Sequence, residues 1–112
     1  MKRIEAIIRP SKVGDVCAAL TSIGHPGVTI STVEGRGREQ GWTHHVRSMT
    51  YNEKALAKSR LEIVSNDNDA GMIVAAIRKA ALTGDVGDGM IFVHEIADAI
   101  RIRTNESGAA AL

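Results

Sequence analysis

The 112-residue chain holds one cysteine, two prolines, and one each of Trp, Tyr and Phe. A lone thiol, Cys17, excludes an internal disulfide and a multi-cysteine zinc site. Lys and Arg outnumber Asp and Glu only by 14 to 13, a formal net charge of +1. No global field therefore draws nucleic acid to this protein, and any basic site has to be local. No stretch approaches the roughly 18 apolar residues of a membrane helix, so direct membrane insertion is not expected. The start "MKRIEAIIRP" shares only its basic second and third residues with a signal peptide, because Glu5 and Arg9 interrupt the apolar run. A cytoplasmic protein is the expectation. Apolar residues at 44% and charged residues at 24% are those of an ordinary globular chain, and the length suits one domain over 1–112.

Periodicity organises most of the chain. "RIEAIIR" alternates Ile4, Ala6 and Ile8 and stops at Pro10, as a strand does. Ser11 is placed to cap a helix in which Val13, Val16, Cys17 and Leu20 recur at helical spacing, and Cys17 is expected in the core. Gly24 and "HPG" end it, and "VTISTVE" is a β-branched strand. Residues 35–57 have no dependable period and read as a long loop. "RLEIVS" is a third strand, and Asp67 or Asn68 starts a helix burying Ile73, Ala76, Ile77, Ala80 and Ala81. "IFVHE" is a fourth strand, "AIRIR" alternates again, and "NESGAAAL" reads as a fraying tail. Two βαβ units with right-handed crossovers give an α+β, ferredoxin-like (βαββαβ) sandwich with both helices on one face. Ile7, Val33 and Val64 then supply apolar surface to the other face, which calls for a partner; a homo-oligomer is expected.

Three stretches carry chemistry. "TGDVGDGM" at 83–90 runs from helix to strand, so it is neither a P-loop nor a dinucleotide fingerprint. Its glycines either reverse the chain or let the N–H groups around Gly87 and Gly89 face an anion. In "IRIRT", a strand would turn Arg101 and Arg103 to one side about 7 Å apart, either as a polyphosphate clamp or as charge guarding a sheet edge. The glycine- and arginine-rich "EGRGREQGWTHHVRSMTYNEKALAK" holds Trp42 and Tyr51, which suit a partner-binding surface. His44 and His45 are either two ligands of an incomplete metal site or incidental loop residues. His25 and His94 show no evident partners. No nucleophile–base pair and no paired acid and base stand out, so an enzyme is not expected.

"MKRIEAIIRP", "V.GRGR..G.T", "TG.VGDG.IFV" and "IRIRT" together resemble the PII signal-transduction family, the nitrogen-regulatory type, over essentially the whole chain. The resemblance implies a homotrimer that binds adenine nucleotides in clefts between subunits. It also implies a T-loop, about 37–55, that regulates a transporter or enzyme. By position, Gly87, Asp88 and Gly89 would meet the phosphates, Arg101 and Arg103 would clamp them, and Gly35, Gly37 and Arg38 would line the nucleotide from the loop base. Ile7, Thr29, Glu62 and Val64 match positions around the adenine and ribose. Lys58, with Glu39 and Gly41, matches the 2-oxoglutarate site, and Tyr51 the tyrosine that some members uridylylate.

Departures from the pattern qualify these expectations. Met90 stands where the family has a lysine or arginine, and Asp85 where members often have a base. Both changes should weaken ATP more than ADP or AMP. Glu39 replaces a glutamine; a carboxylate can still bind Mg²⁺ but repels a dicarboxylate, so bicarbonate stands beside 2-oxoglutarate as messenger. The segment "HHVRSMTY" lacks the usual tyrosine-rich context, which puts modification of Tyr51 in doubt and leaves a metal-responsive loop as the alternative.

Overall fold

The computed structural model describes residues 1–35 and 56–112. In chain order the elements are β1 (Lys2–Ile8), a 3-10 turn at Pro10–Lys12, α1 (Val13–Ser22), β2 (Thr29–Gly35), β3 (Leu56–Ser65), α2 (Asp67–Ala81), β4 (Met90–Glu95) and a 3-10 turn at Gly108–Ala111. The strands form one sheet in the order β2-β3-β1-β4, antiparallel throughout. This is the expected ferredoxin-like order.

Period-two alternation sorts each strand into two faces. On β1 and β3 the buried set is Ile4, Ala6, Ile8, Leu61 and Ile63, which packs against Val16 and Leu20 of α1 and Ala70, Ile73 and Ile77 of α2. Asn66 caps α2, its side-chain oxygen accepting from the Asp69 N–H at 2.9 Å. Asp67 and Asp69 add negative charge to the first turn, and Arg78 and Lys79 positive charge to the last, in the sense the helix dipole favours. Cys17 is only partly buried. Ser11 does not cap α1: it falls inside the 3-10 turn, and Lys12 occupies the cap position with no side-chain hydrogen bond.

Two further expectations change. β3 begins at Leu56 rather than Arg60, because Leu56, Ala57, Lys58 and Ser59 pair with Gly35, Glu34, Val33 and Thr32 of β2, and Lys58 and Ser59 are buried although polar. The strand expected at 99–103 does not form. Ile100 makes an isolated bridge to Ser107, the Arg101 N–H donates to Glu106 O at 2.8 Å, and the Asn105 N–H to Arg101 O at 2.7 Å. Asn105, at φ 62°, turns the segment back on itself. Alternation assigns sides to residues but supplies no neighbouring strand, so a short arm replaces the strand. The tail is not wholly frayed, since it ends in the Gly108–Ala111 turn.

The second sheet face carries Ile7, Val33, Val64 and Phe92, but also a charged ladder that the sequence reading missed. Glu5 and Glu62 are directly opposed across β1 and β3. Such a like-charge pair is unfavourable unless cations intervene, and here they do. Arg3 Nη1 lies 3.0 Å from Glu62 Oε2, and Arg60 bridges Glu62 (3.5 Å) and Glu5 (3.8 Å). His94 Nε2 sits 3.4 Å from Glu5 Oε1 without a hydrogen bond. His25 Nε2 lies 3.1 Å from Asp69 Oδ2, tying the turn after α1 to α2. Both histidines therefore have neighbours that the sequence did not reveal.

Truncating a core contact tests this packing. Ile77 has no solvent exposure, so Ile77→Ala should lower the unfolding free energy by about 2–5 kcal/mol in a urea titration. A loss under about 1 kcal/mol would mean that α2 is not part of the core.

Candidate ligand-binding site

The glycine loop folds against the end of β1. Gly84, Gly87 and Gly89 have φ of 94°, 108° and 100°, the region open to glycine. Gly89 is also required by contact: a Cβ there would lie 1.7 Å from the Ile7 carbonyl oxygen. At Gly87 it would lie 2.9 Å from Arg9 Nη2. The glycines thus have a purely structural use, whatever the loop binds.

Asp88 organises the loop from within. Its carboxylate accepts the Thr83 hydroxyl, the Thr83 N–H (2.9 Å) and the Gly84 N–H (2.9 Å), and Arg9 Nε lies 3.3 Å away. The Thr83 hydroxyl leads these donors in holding the Asp88 carboxyl well below the usual carboxylate range. Arg9 Nη2 also donates to Val86 O at 2.9 Å, and Lys58 Nζ to Gly87 O at 2.9 Å. With carbonyls and carboxylate taken up on the inner side, no hydrogen bond among the described residues uses the N–H of Val86, Gly87 or Asp88. Arg9 and Thr83 escaped the sequence reading. Nothing in local sequence signals that Arg9 meets Asp88, 79 positions away.

The remaining matched residues fall into two groups. Ile7, Gly35 and Lys58 lie at the glycine-loop end of the sheet, Lys58 beside Val33 and with its Cγ 3.5 Å from where a Gly35 Cβ would be. Thr29 is opposite Glu62, and Val64 opposite Arg3, toward the end where Lys2 faces Glu95. Arg101 and Arg103 follow β4 on that second end. Arg101 is held by its own arm: Nη2 donates to Ala111 O (3.0 Å) and Leu112 O (3.3 Å), and Nε is 3.4 Å from Glu106. The paired orientation expected from a strand therefore does not arise. Gly37, Arg38, Glu39, Gly41, Trp42, His44, His45 and Tyr51, with the T-loop, lie outside the described residues. Among the described residues no three His, Cys, Asp or Glu side chains gather as a metal site, and no helix is long and apolar enough to cross a membrane.

A family model described as "Nitrogen regulatory protein P-II" matches residues 1–106. The chain belongs to the P-II family. It is 46% identical over 112 residues to the nitrogen regulatory protein P-II 2 of Methanothermobacter thermautotrophicus, covering all of this chain and 97% of that one. It is 45% identical to the P-II protein of Nostoc punctiforme, with both chains fully covered. A crystal structure of Arabidopsis thaliana PII bound to citrate superposes with a TM-score of 0.83 at 37% identity, covering 99% of this chain and 91% of that one. P-II proteins are regulatory signalling proteins rather than enzymes, and the expected fold class stands.

Asp88 gives a pH test. Because its folded pKa is depressed, its contribution is complete above the unfolded carboxyl pKa of about 3.9 and is lost as pH falls below that value. NMR titration should find the Asp88 carboxyl titrating below the usual carboxylate range, with the Gly84 amide shift following it. Titration at the ordinary value would remove Asp88 as the organiser of the loop.

Proposed function

We propose that this protein is a homotrimeric, non-catalytic sensor that binds an adenine nucleotide between subunits and sets the binding of a partner protein through its T-loop. One observation supports the reading: Gly87 and Gly89 precede β4 while Arg101 and Arg103 follow it, so the two sets of matched residues leave from opposite ends of that strand. β4 alone spans six residues, about 20 Å at 3.4 Å per residue. A phosphate at the uncommitted N–H groups of the glycine loop therefore lies beyond Arg101 and Arg103 of the same chain. A second copy can bring the two halves together, and the apolar residues on the open sheet face favour such packing.

The glycine loop suits phosphate chemically, since its inner side is tied down and its N–H groups at Val86, Gly87 and Asp88 are spared for a ligand. The charge count favours fewer phosphates. Arg9 is drawn to Asp88, Met90 brings no cation to the start of β4, and Asp85 adds an exposed carboxylate. Each added phosphate increases repulsion without a matching cation, so ADP or AMP is favoured over ATP. Mg²⁺, with Glu39, would accompany the phosphates. A small anion, 2-oxoglutarate or bicarbonate, is the second signal at Lys58, Glu39 and Gly41. The citrate bound by the Arabidopsis relative supports a small carboxylate as ligand class. Ligand binding would shift the arrangement of the T-loop and thereby the affinity for a regulated transporter or enzyme.

Isothermal titration with ATP, ADP and AMP in the presence of Mg²⁺ tests this. ADP or AMP should bind at least as tightly as ATP, and Arg103→Ala should weaken nucleotide binding at least tenfold. No heat from any of the three would reject the nucleotide site.

A further inference from the structure

A groove of about 380 Å³ lies on the helix side of the sheet, between the end of α2 and the start of edge strand β4. Its floor is core, since Ile8 and Ile77 are almost wholly buried. Arg78 and Ala81, one turn apart, face it from α2, and Leu82 and Ile91 complete the walls. Ile91 belongs to this side because it is paired with Ala6, a core residue of β1. The space stays open because Ala81 has a short side chain and Gly89, at the loop end, has none. Pockets that hold small ligands span about 300–1,000 Å³, so the groove is large enough for one.

Among the described residues, Arg78 and Asp88 are the charged side chains at this groove, and they differ in what they already hold. The Asp88 carboxylate takes donors from Thr83 and Gly84 and lies 3.3 Å from Arg9 Nε. The Arg78 guanidinium makes no hydrogen bond or ion pair with any described residue. It favours an anion at the mouth and repels a cation, and its planar fork matches the two oxygens of a carboxylate. The floor offers only aliphatic side chains, so the rest of the ligand has to be apolar. Leu82, 49% exposed, is apolar surface that such a ligand would remove from water.

We propose that this groove binds an aliphatic monocarboxylate, with the carboxylate on Arg78 and the hydrocarbon chain over Ile8, Ile77 and Ile91. The site lies on the opposite sheet face from Ile7 and Val64, and it does not depend on the nucleotide reading. It does adjoin the glycine loop, because Asp88 and Gly89 close one end of the groove. A chain seated there touches the end of α2 and the loop together, and so restrains one against the other.

Titration of the full chain with octanoate, followed by calorimetry and by methyl NMR, tests the site. Octanoate should shift the methyl signals of Ile8, Leu82 and Ile91 and leave Ile7, on the other face, unmoved. Each methylene that enters is worth about fourfold in affinity, so octanoate should bind at least tenfold more tightly than butanoate. The uncharged 1-octanol should bind at least tenfold more weakly than octanoate, and Arg78→Gln should weaken octanoate to a similar degree. Leu82→Ser should also weaken it, with an unchanged far-UV circular dichroism spectrum, since the residue is half exposed. No binding of octanoate at millimolar concentration, or shifts confined to the open face, would overturn the proposal. So would equal affinity for octanol, or an Arg78→Gln variant that binds like wild type. Each of these failures leaves the nucleotide titrations standing.

Discussion

The absence of a side chain at residue 89 lets the 83–90 segment lie directly on the backbone of β1, where a Cβ would stand 1.7 Å from the Ile7 carbonyl oxygen. That approach brings the loop within reach of Arg9 and Lys58, which then fasten Val86 O and Gly87 O. Asp88 completes the fastening from inside, its carboxylate taking donors from Thr83 and Gly84. A larger residue at 89 would have to displace main chain rather than a flexible side chain. The carbonyls are thus turned inward and held, and the orientation of the intervening N–H groups follows from that constraint.

The antiparallel sheet imposes the second constraint. Because β4 runs opposite to β1, the loop before β4 and the arm after it leave from opposite ends of the sheet. No adjustment of side chains within one chain closes that separation. The same geometry leaves the open face with a mixed character, apolar at Ile7, Val64 and Phe92 and charged at Arg3, Glu5, Arg60 and Glu62. The ladder keeps that face compatible with water while its apolar residues remain available for contact. A face of this composition favours one register of packing, because a slipped neighbour would set like charges against each other.

Much of the fold was legible because its elements are written in period. Ile4, Ala6 and Ile8 mark β1, and Ile73 and Ile77 mark α2, with burial that matches the expectation. The start of β3 was not legible, since Lys58 and Ser59 are buried for reasons of contact that hydropathy does not encode. Arg101 and Arg103 show the opposite failure: their alternation is genuine, but the segment closes on itself through Asn105 before it can meet a sheet edge. At the candidate site the motif residues were visible and their supports were not. Gly87 and Gly89 stand out in any reading, whereas Arg9 acquires its place only when β1 and the loop are brought together.

Lys58 links the glycine loop to the strand that follows the T-loop segment. Its ammonium donates to Gly87 O, and its strand leads directly from the segment 36–55, so one side chain joins the glycine loop to the base of the T-loop. On the proposed reading, an anion that draws the ammonium away from Gly87 O loosens the loop at the point where its N–H groups face phosphate. A nucleotide that fixes the loop in turn fixes Lys58. Linkage makes these two effects equal in free energy, so the anion and the nucleotide must alter each other's affinity by the same factor. Met90 sharpens this dependence. With no cation at the start of β4, the positive groups that touch the loop among the described residues are Lys58 and Arg9, and both already hold it. A sensor built this way exchanges affinity for the distal phosphates for a closer coupling between its two ligands.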